Sequence, residues 1–357
     1  MNWEAVVKDE KAPTRAELGS LRAFIDAIER AGRLVRVQEP VHWRHELGYR
    51  ARGGKSPLLF ENIVDYPGQR VFTNGLREVS LIGIALGLGT RWGRDELIAE
   101  ARHRAGMPIA PRIVERGPVM ENVIEGDAVD LTRFPVPHWN EQDCDRYVGT
   151  WHINVTCDPE TGARNVGLYR MQLLGARRAT LSTTPASHLA QHVAKAERVG
   201  DPLPMAMAIG VGEATIMAAA AGCPLGVDEF AVAGGFRGWA LDLVRCGASN
   251  LEVPADAEIV VEGFIHPNVR VQDGPYFDYT GTVNTNPNAF LFEATRIMHR
   301  DGAIFRGTSI GLPGAEDHQL LSILAEIKLL DFHGSNVKKS FQDMVLRERF
   351  RRWTEAG

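Results

Sequence analysis

Asn165-Val166-Gly167-Leu168-Tyr169-Arg170 is the stretch on which the reading of this chain turns. Its six residues hold a metal-capable amide, a glycine that permits close approach, and a fixed cation. In an extended strand Asn165, Gly167 and Tyr169 face one way and Val166, Leu168 and Arg170 the other, so one strand serves two sides of a site. Just upstream, residues 149 to 157 form a second strand-like run, and Asp158-Pro-Glu-Thr-Gly162 between the two has the composition of a turn. The spacing predicts a β-hairpin whose strands are 149 to 157 and 165 to 175.

Outward from the hairpin the chain alternates helices and strands. Leu21, Phe24, Ile25 and Ile28 recur at helical spacing after Ser20, so residues 21 to 31 read as an amphipathic helix ended by Gly32. Short strands are expected at 57 to 60 and 70 to 73, set off by Pro67-Gly68 and Asn74-Gly75. From 107 to 140 prolines 108, 111, 118, 135 and 137 break helical periodicity, as in a crossing between domains. Helices follow at 188 to 198 and 213 to 221, strands at 204 to 210, 257 to 265 and 290 to 298, and a last amphipathic helix at 318 to 330. The fold class is therefore mixed α/β.

At 357 residues the chain is long enough for two or three domains, and its 44% hydrophobic and 24% charged residues are those of a globular protein. A formal charge of −5 gives no general attraction to nucleic acid, and the local cluster Arg349, Arg351 and Arg352 reads as a solvated helix face. No apolar run approaches the ~20 residues of a membrane span. The N-terminus lacks a basic start followed by an apolar run, which predicts a cytoplasmic protein. Cys144, Cys157, Cys223 and Cys246 have no paired spacing and read as buried thiols, neither disulfides nor a zinc site.

Three sets of residues carry chemistry. Asn165, His188 and Glu229 offer an amide oxygen, an imidazole nitrogen and a carboxylate, a donor set better suited to manganese or magnesium than to structural zinc. An ion with one anionic ligand wants another, for which a cofactor phosphate serves. A rival pair, His188 and His192 at i and i+4, lacks the glutamate of a metalloprotease helix. Gly53-Gly54-Lys55-Ser56 lacks the upstream glycine of a phosphate loop, and Gly210-Val-Gly212 lacks the third glycine of a dinucleotide loop; both read as turns. In Asp273-Gly-Pro-Tyr-Phe-Asp278 a Gly-Pro turn folds two carboxylates toward one pocket, with Arg170 a candidate to sit between them. That arrangement suits general acid catalysis, the protonation of a carbanion; a polar turn with a surface ion pair has the same composition.

Taken in order, the Asn165 to Arg170 stretch, His188, Val227-Asp-Glu229-Phe-Ala-Val-Ala-Gly234, Val253 to Gly263, and Asp273-Gly-Pro-Tyr-Phe-Asp-Tyr-Thr-Gly281 resemble the UbiD-like decarboxylases. The similarity runs from about Leu21 to about Gly334. It implies an N-terminal α/β region (1 to 110), a flavin-reductase-like split β-barrel that binds prenylated FMN (111 to 315), and the start of a shortened C-terminal domain (316 to 357). It implies that Asn165, His188 and Glu229 bind Mn2+, with K+ beside it. Thr150, Asn165, Gly167, Leu168, Arg170, His188 and Glu229 would contact the cofactor, and Arg170, Asp273 and Asp278 would form the catalytic network.

The activity implied is reversible, non-oxidative decarboxylation of an aromatic, heteroaromatic or α,β-unsaturated acid, with the flavin as electron sink and Asp278 as proton donor. A flavin prenyltransferase would supply the cofactor, and the chain would form a homo-oligomer. Two departures stand out: Asp273 replaces the more frequent glutamate and is shorter by a methylene, and Phe277 adds bulk where many members carry glycine. An accessory or truncated subunit without activity, and a split-barrel flavin oxidoreductase, are the alternatives.

Overall fold

The N-terminal helix forms where the apolar spacing places it: α1 (Leu21–Arg30) buries Leu21, Phe24, Ile25 and Ile28, and the Ser20 side chain caps it by accepting from the Ala23 amide. The computed structural model describes residues 19–311 and 314–327. After α1 come β1 (Val35–Val37), α2 (Glu46–Gly53), β2 (Leu58–Phe60), β3 (Arg70–Thr73), α3 (Val79–Ala85) and α4 (Arg94–Ala105). The proline-rich segment contributes the short strands β4 (Arg112–Ile113) and β5 (Asn122–Glu125) and three single-turn 3-10 helices. Next are β6 (Tyr147–Gly149), β7 (His152–Cys157), β8 (Arg164–Gly167), β9 (Met171–Gln172) and β10 (Arg178–Leu181). The chain continues through α5 (His188–Val199), β11 (Leu203–Ile209), α6 (Glu213–Ala220), α7 (Glu229–Arg237), β12 (Asp242–Arg245) and β13 (Glu252–Pro254). It ends in β14 (Ile259–Phe277), β15 (Val283–His299), β16 (Ile304–Arg306) and α8 (Glu316–Ile327). The far end of the helix expected at 318 to 330, and the arginine cluster at 349 to 352, lie outside the described residues.

A seven-stranded sheet in the order β10-β15-β14-β11-β7-β8, with β5 added to β15, organises the molecule. Its alternation decides which helices lie on which face. Met205, Met207 and Ile209 of β11 join Leu189 and Val193 of α5 in one apolar cluster. Ala206 and Ala208 turn the other way, into a cluster with Ile216 of α6, Phe230 and Phe236 of α7 and the residues of α1. Each large side chain fully buried in this way contributes about 1.5–3 kcal/mol. A smaller sheet, β1-β2-β3-β16, joins the N-terminal strands to the strand that follows β15. On its far side α8 is tied to α4 by Arg94 donating to the Ser322 carbonyl and Arg102 to the Ile327 carbonyl.

The hairpin forms with Cys157 opposite Arg164 and Asn154 opposite Gly167, and Asp158 Oδ1 accepts from the Glu160 amide in its turn. Its strands are shorter than the spacing predicts. The second stops at Gly167 because the Tyr169 ring folds back across that glycine, where a Cβ would come within 2.7 Å of it. The Tyr169 amide then donates to the Asn154 side chain, and the chain resumes as β9, paired with β6. The first run is likewise split into β6 and β7, leaving Thr150 and Trp151 between them. The ends of the large sheet, β8 and β10, are bridged by the chain itself, since β9 leads to a Leu173–Ala179 bridge beside β10. The strands expected at 257 to 265 and 290 to 298 are parts of the much longer β14 and β15, whose pairing shifts register at several points, one of them between Asp273 and Tyr276. Cys223 and Cys246 are buried as expected, but Cys157, the last residue of β7, is only half-buried, and Cys144 is exposed in the loop before β6.

Candidate active site

At the irregular end of β14, Gly274 has φ +97°, and a Cβ there would lie 2.6 Å from the Asn284 carbonyl oxygen, so a side chain is excluded. The turn it permits carries Asp273 and Asp278 to the two sides of Arg170. Asp273 is fully buried; Arg170 Nε and Nη2 donate to its Oδ2 at 2.7 and 2.6 Å, and Thr180 Oγ1 donates to its Oδ1 at 2.8 Å. The shorter side chain at this position therefore reaches its arginine without loss of contact, and an exposed ion pair does not describe it. Asp278 Oδ1 accepts from the Tyr279 amide at 2.7 Å, but its Oδ2 is held loosely, with Arg170 Nη1 at 3.4 Å and Asn284 Nδ2 at 3.3 Å, and the side chain is 22% exposed.

The Arg170 guanidinium lies 4.7 Å from the centroid of the Tyr276 ring, which packs on Tyr147 at 4.3 Å. Burial alone would lower the arginine pKa, but Asp273 and Asp278 outweigh it and raise it, so the cation is permanent. Gln172, two residues on, braces both sides of the network. Its amide donates to Thr180 Oγ1 at 2.9 Å, and its side-chain oxygen accepts from the Gly274 amide at 3.1 Å. Phe277 packs against Gly311, where a Cβ would come within 2.6 Å of its ring.

A second group lies at the other end of the 165 to 170 stretch. Glu229 opens α7 behind the N-cap Asp228 and accepts from the Val166 amide at 3.0 Å; burial pushes its pKa up to about 7. Asn165 is buried, and its Oδ1 accepts from the Tyr169 hydroxyl at 3.4 Å. That hydroxyl is also within reach of the Leu189 amide, and its pKa rises to about 12 through burial and the nearby Glu229. Leu189 adjoins His188, the first residue of α5, whose half-buried ring has its pKa lowered by burial. Asn165, Glu229 and the start of α5 thus converge on the Tyr169 hydroxyl. His192 is instead committed to Thr156 Oγ1 at 3.0 Å, and no cluster of three or more His, Cys, Asp or Glu side chains able to hold a metal occurs among the described residues.

In a third group, Thr150 Oγ1 accepts from the Thr308 amide at 3.0 Å, while the Trp139 indole N–H is buried without a partner. Gly307 lies against both Trp139 and Thr150. Unpaired buried polar atoms of this kind suit a polar ligand.

Residues 112–313 match the Rift-related domain of 3-octaprenyl-4-hydroxybenzoate carboxy-lyase, and residues 25–100 match the N-terminal domain of the same enzyme. The chain belongs to the UbiD family. A UbiD relative, the pyrrole-2-carboxylic acid decarboxylase of Pseudomonas aeruginosa, is 35% identical over 326 residues, 87% of this chain and 65% of the relative. The chain thus spans just under two thirds of that relative's length. Vanillic acid decarboxylase of Sedimentibacter hydroxybenzoicus in its closed form superposes with a TM-score of 0.82 at 29% identity, covering 86% of this chain and 67% of that one. The UbiD-class enzyme HmfF of Pelotomaculum thermopropionicum, in complex with prFMN, gives 0.79 at 31% identity, covering 87% and 71%.

Motif reading of a UbiD sequence finds Arg170, Asp273 and Asp278 but not Thr180, Gln172 or Thr308. Each of these acts through a contact made across the sheet or between separate loops, and a lone threonine or glutamine carries no spacing signal.

Proposed function

We propose that this chain houses the decarboxylation site of a UbiD enzyme acting on an aromatic, heteroaromatic or α,β-unsaturated carboxylic acid, reversibly and without net oxidation. The observation that carries the reading is the unequal treatment of two carboxylates by one arginine. Asp273 takes three short hydrogen bonds and serves as the fixed anion that orients Arg170. Asp278 Oδ2 has only long contacts and partial exposure, so it is the oxygen free to hold a proton and pass it to the carbon that has lost CO2. Run backwards, the same oxygen takes the proton from that carbon. Arg170, permanently charged and packed over the Tyr276 ring, orients an anionic substrate.

Thr150, Thr308, Gly167, Leu168 and Arg170 would hold prenylated FMN, and Asn165, His188 and Glu229 would hold Mn2+ against its phosphate, with K+ nearby. The unpaired Trp139 N–H and the oxygen-rich donor set around Tyr169 fit these groups. When bound, the prenylated flavin supplies the electron sink for the breaking carbon–carbon bond. The large sheet, with β8 and β10 joined through β9, is read as a split barrel around this site. Phe277, packed on Gly311, narrows the space beside Asp278 and favours flat aromatic acids.

The test is to co-express the chain with a flavin prenyltransferase, supply manganese and potassium, and record the absorbance spectrum and the mass of the released cofactor. Chromatographic assay with pyrrole-2-carboxylate, hydroxybenzoates and cinnamate follows. Bound prenylated flavin with release of CO2 is expected, from a homo-oligomer. Turnover with NADH and no decarboxylation would make the chain an oxidoreductase, and a folded protein that takes up no flavin would make it an accessory subunit.

A further inference from the structure

The turn that carries Asp273 and Asp278 is gripped from outside by the loop that follows the proline-rich segment. Asp143, 5% exposed, accepts from the Phe277 amide through Oδ1 at 2.8 Å, immediately before Asp278. One residue on, the Cys144 amide donates to the Pro275 carbonyl at 2.8 Å. These two bonds hold the turn's main chain at Pro275 and Phe277, between the two acids.

The other oxygen of Asp143 faces inward, where it accepts from the Asn140 amide at 3.2 Å and from Asn140 Nδ2 at 3.3 Å. Asn140 Oδ1 in turn accepts from Arg52 Nη1 at 2.5 Å and from Ser309 Oγ at 3.2 Å. Arg52 belongs to α2 and also donates to the Trp139 carbonyl at 2.8 Å. A continuous set of bonds therefore runs from the N-terminal region through Asn140 and Asp143 to the backbone beside the proton donor. A buried carboxylate accepting three N–H groups is directional and has little freedom to move.

We propose that Asp143 is a positioning residue for Asp278, clamping the Pro275 to Phe277 main chain so that the loosely held carboxylate points at the reacting carbon. The inference rests on the decarboxylase reading for its catalytic half. The Asp273–Arg170 pair is held independently of the clamp, by its own bonds and by Thr180 of β10, although Tyr276, against which Arg170 packs, lies within the clamped main chain. Loss of Asp143 therefore leaves the Arg170–Asp273 pair in place and displaces Asp278 together with the neighbouring Tyr276. Displacement of a catalytic group by about 1 Å costs on the order of a hundredfold in rate without a matching loss of substrate binding.

The experiment compares wild type with Asp143→Asn and Asp143→Ala as loaded enzyme, measuring kcat and KM separately, and the rate of labelling of the exposed Cys144 thiol by a disulfide reagent. Asparagine keeps an acceptor for the Phe277 amide but turns a donor toward Asn140; alanine removes both bonds. The expected result is a graded fall in kcat, about tenfold for asparagine and about a hundredfold for alanine, with KM within about twofold, and faster Cys144 labelling in the same order. Asn140→Ala, which leaves Asp143 itself intact, gives a smaller change in the same direction and carries the test if the Asp143 variants do not fold.

Unchanged labelling overturns the clamp whatever the activity, and faster labelling with unchanged kcat overturns its positioning role. Faster labelling in variants of a wild type that decarboxylates nothing upholds the clamp and sinks the decarboxylase reading instead.

Discussion

Arg170 and Arg306 are each held between two carboxylates, one at the candidate active site and the other in the core, and the contrast separates an ion network that can act from one that can only hold. Arg306 is 1% exposed; its Nε donates to Glu213 at 2.8 Å, and Nη1 and Nη2 donate to the two oxygens of Glu316 at 2.9 and 2.7 Å. Trp151 Nε1 donates to Glu213 at 3.0 Å, and the Asn74 and Leu76 amides donate to Glu316 at 2.9 and 3.1 Å. Burial raises the pKa of Glu213 in spite of Arg306. For Glu316, burial works in the same direction but the arginine and the backbone amides outweigh it and lower the pKa.

Every carboxylate oxygen in that group has a partner, and the group joins α6, α8, β16 and the loop after β3. Around Arg170, Asp273 has short bonds on both oxygens, whereas Asp278 has one short bond, from the Tyr279 amide to Oδ1 at 2.7 Å, and only long contacts on Oδ2. A proton donor needs an oxygen that is not fully committed, and the Arg170 group keeps one on Asp278.

Removing the arginine from the core network should have the largest effect on the fold. Arg306→Met leaves two carboxylates buried without their cation and is expected to destabilise the protein by about 3–5 kcal/mol, read from urea unfolding. A loss below about 1 kcal/mol would mean that the core network is not structural. At the site, Asp278→Asn should lower decarboxylation by about 10²–10⁴-fold. Its unfolding midpoint should stay near that of wild type, because the side chain is partly exposed, asparagine keeps an acceptor for the Tyr279 amide, and Oδ2 makes only long contacts. Wild-type turnover in that variant would remove Asp278 from the mechanism.

His152 sharpens the comparison by lacking any carboxylate. It is 1% exposed, and burial pushes its pKa down to about 4 from an ordinary 6.5 in spite of weak contacts to the Asn154 side chain and the Tyr169 main chain. An unfolded chain binds this proton below pH 6.5 and the folded chain only near pH 4. Stability should therefore fall as pH drops through that window, by about 3 kcal/mol for this group. Measured between pH 7 and pH 4, the loss should be smaller in His152→Phe; an equal loss in both proteins would refute the assignment. The smallest effect is expected from Thr180→Val, which removes one of three donors to Asp273 and should cost about 1.5–3 kcal/mol of stability, with Arg170 still in place. No measurable change would mean that Arg170 alone suffices to hold Asp273.

How much of this was legible in advance differs between the two networks. Arg170, Asp273 and Asp278 sit in ordered motifs, and the Gly-Pro turn between the acids is a local signal. Glu213, Arg306 and Glu316 lie in an alanine-rich helix, a three-residue strand and a helix start, where charged residues ordinarily face solvent. Only packing makes them a core. Asp143 was equally silent, because its partner is a backbone amide 134 positions away, and an amide has no identity in the sequence.

The sequence by itself determined the mixed α/β class, the α1 and α5 helices, the hairpin turn at Asp158 to Gly162 and the family motifs, since periodicity, caps and turn residues act over a few positions. It also placed Gly274, because the conformation there excludes a side chain. The tertiary structure alone decided that the second hairpin strand ends under the Tyr169 ring, that Asp273 is buried and committed while Asp278 is not, and that a strand from beyond the hairpin completes the N-terminal sheet. Those outcomes depend on which distant groups arrive at hydrogen-bonding distance, and whether a carboxylate anchors a cation or keeps an oxygen free is set by how many donors meet it there.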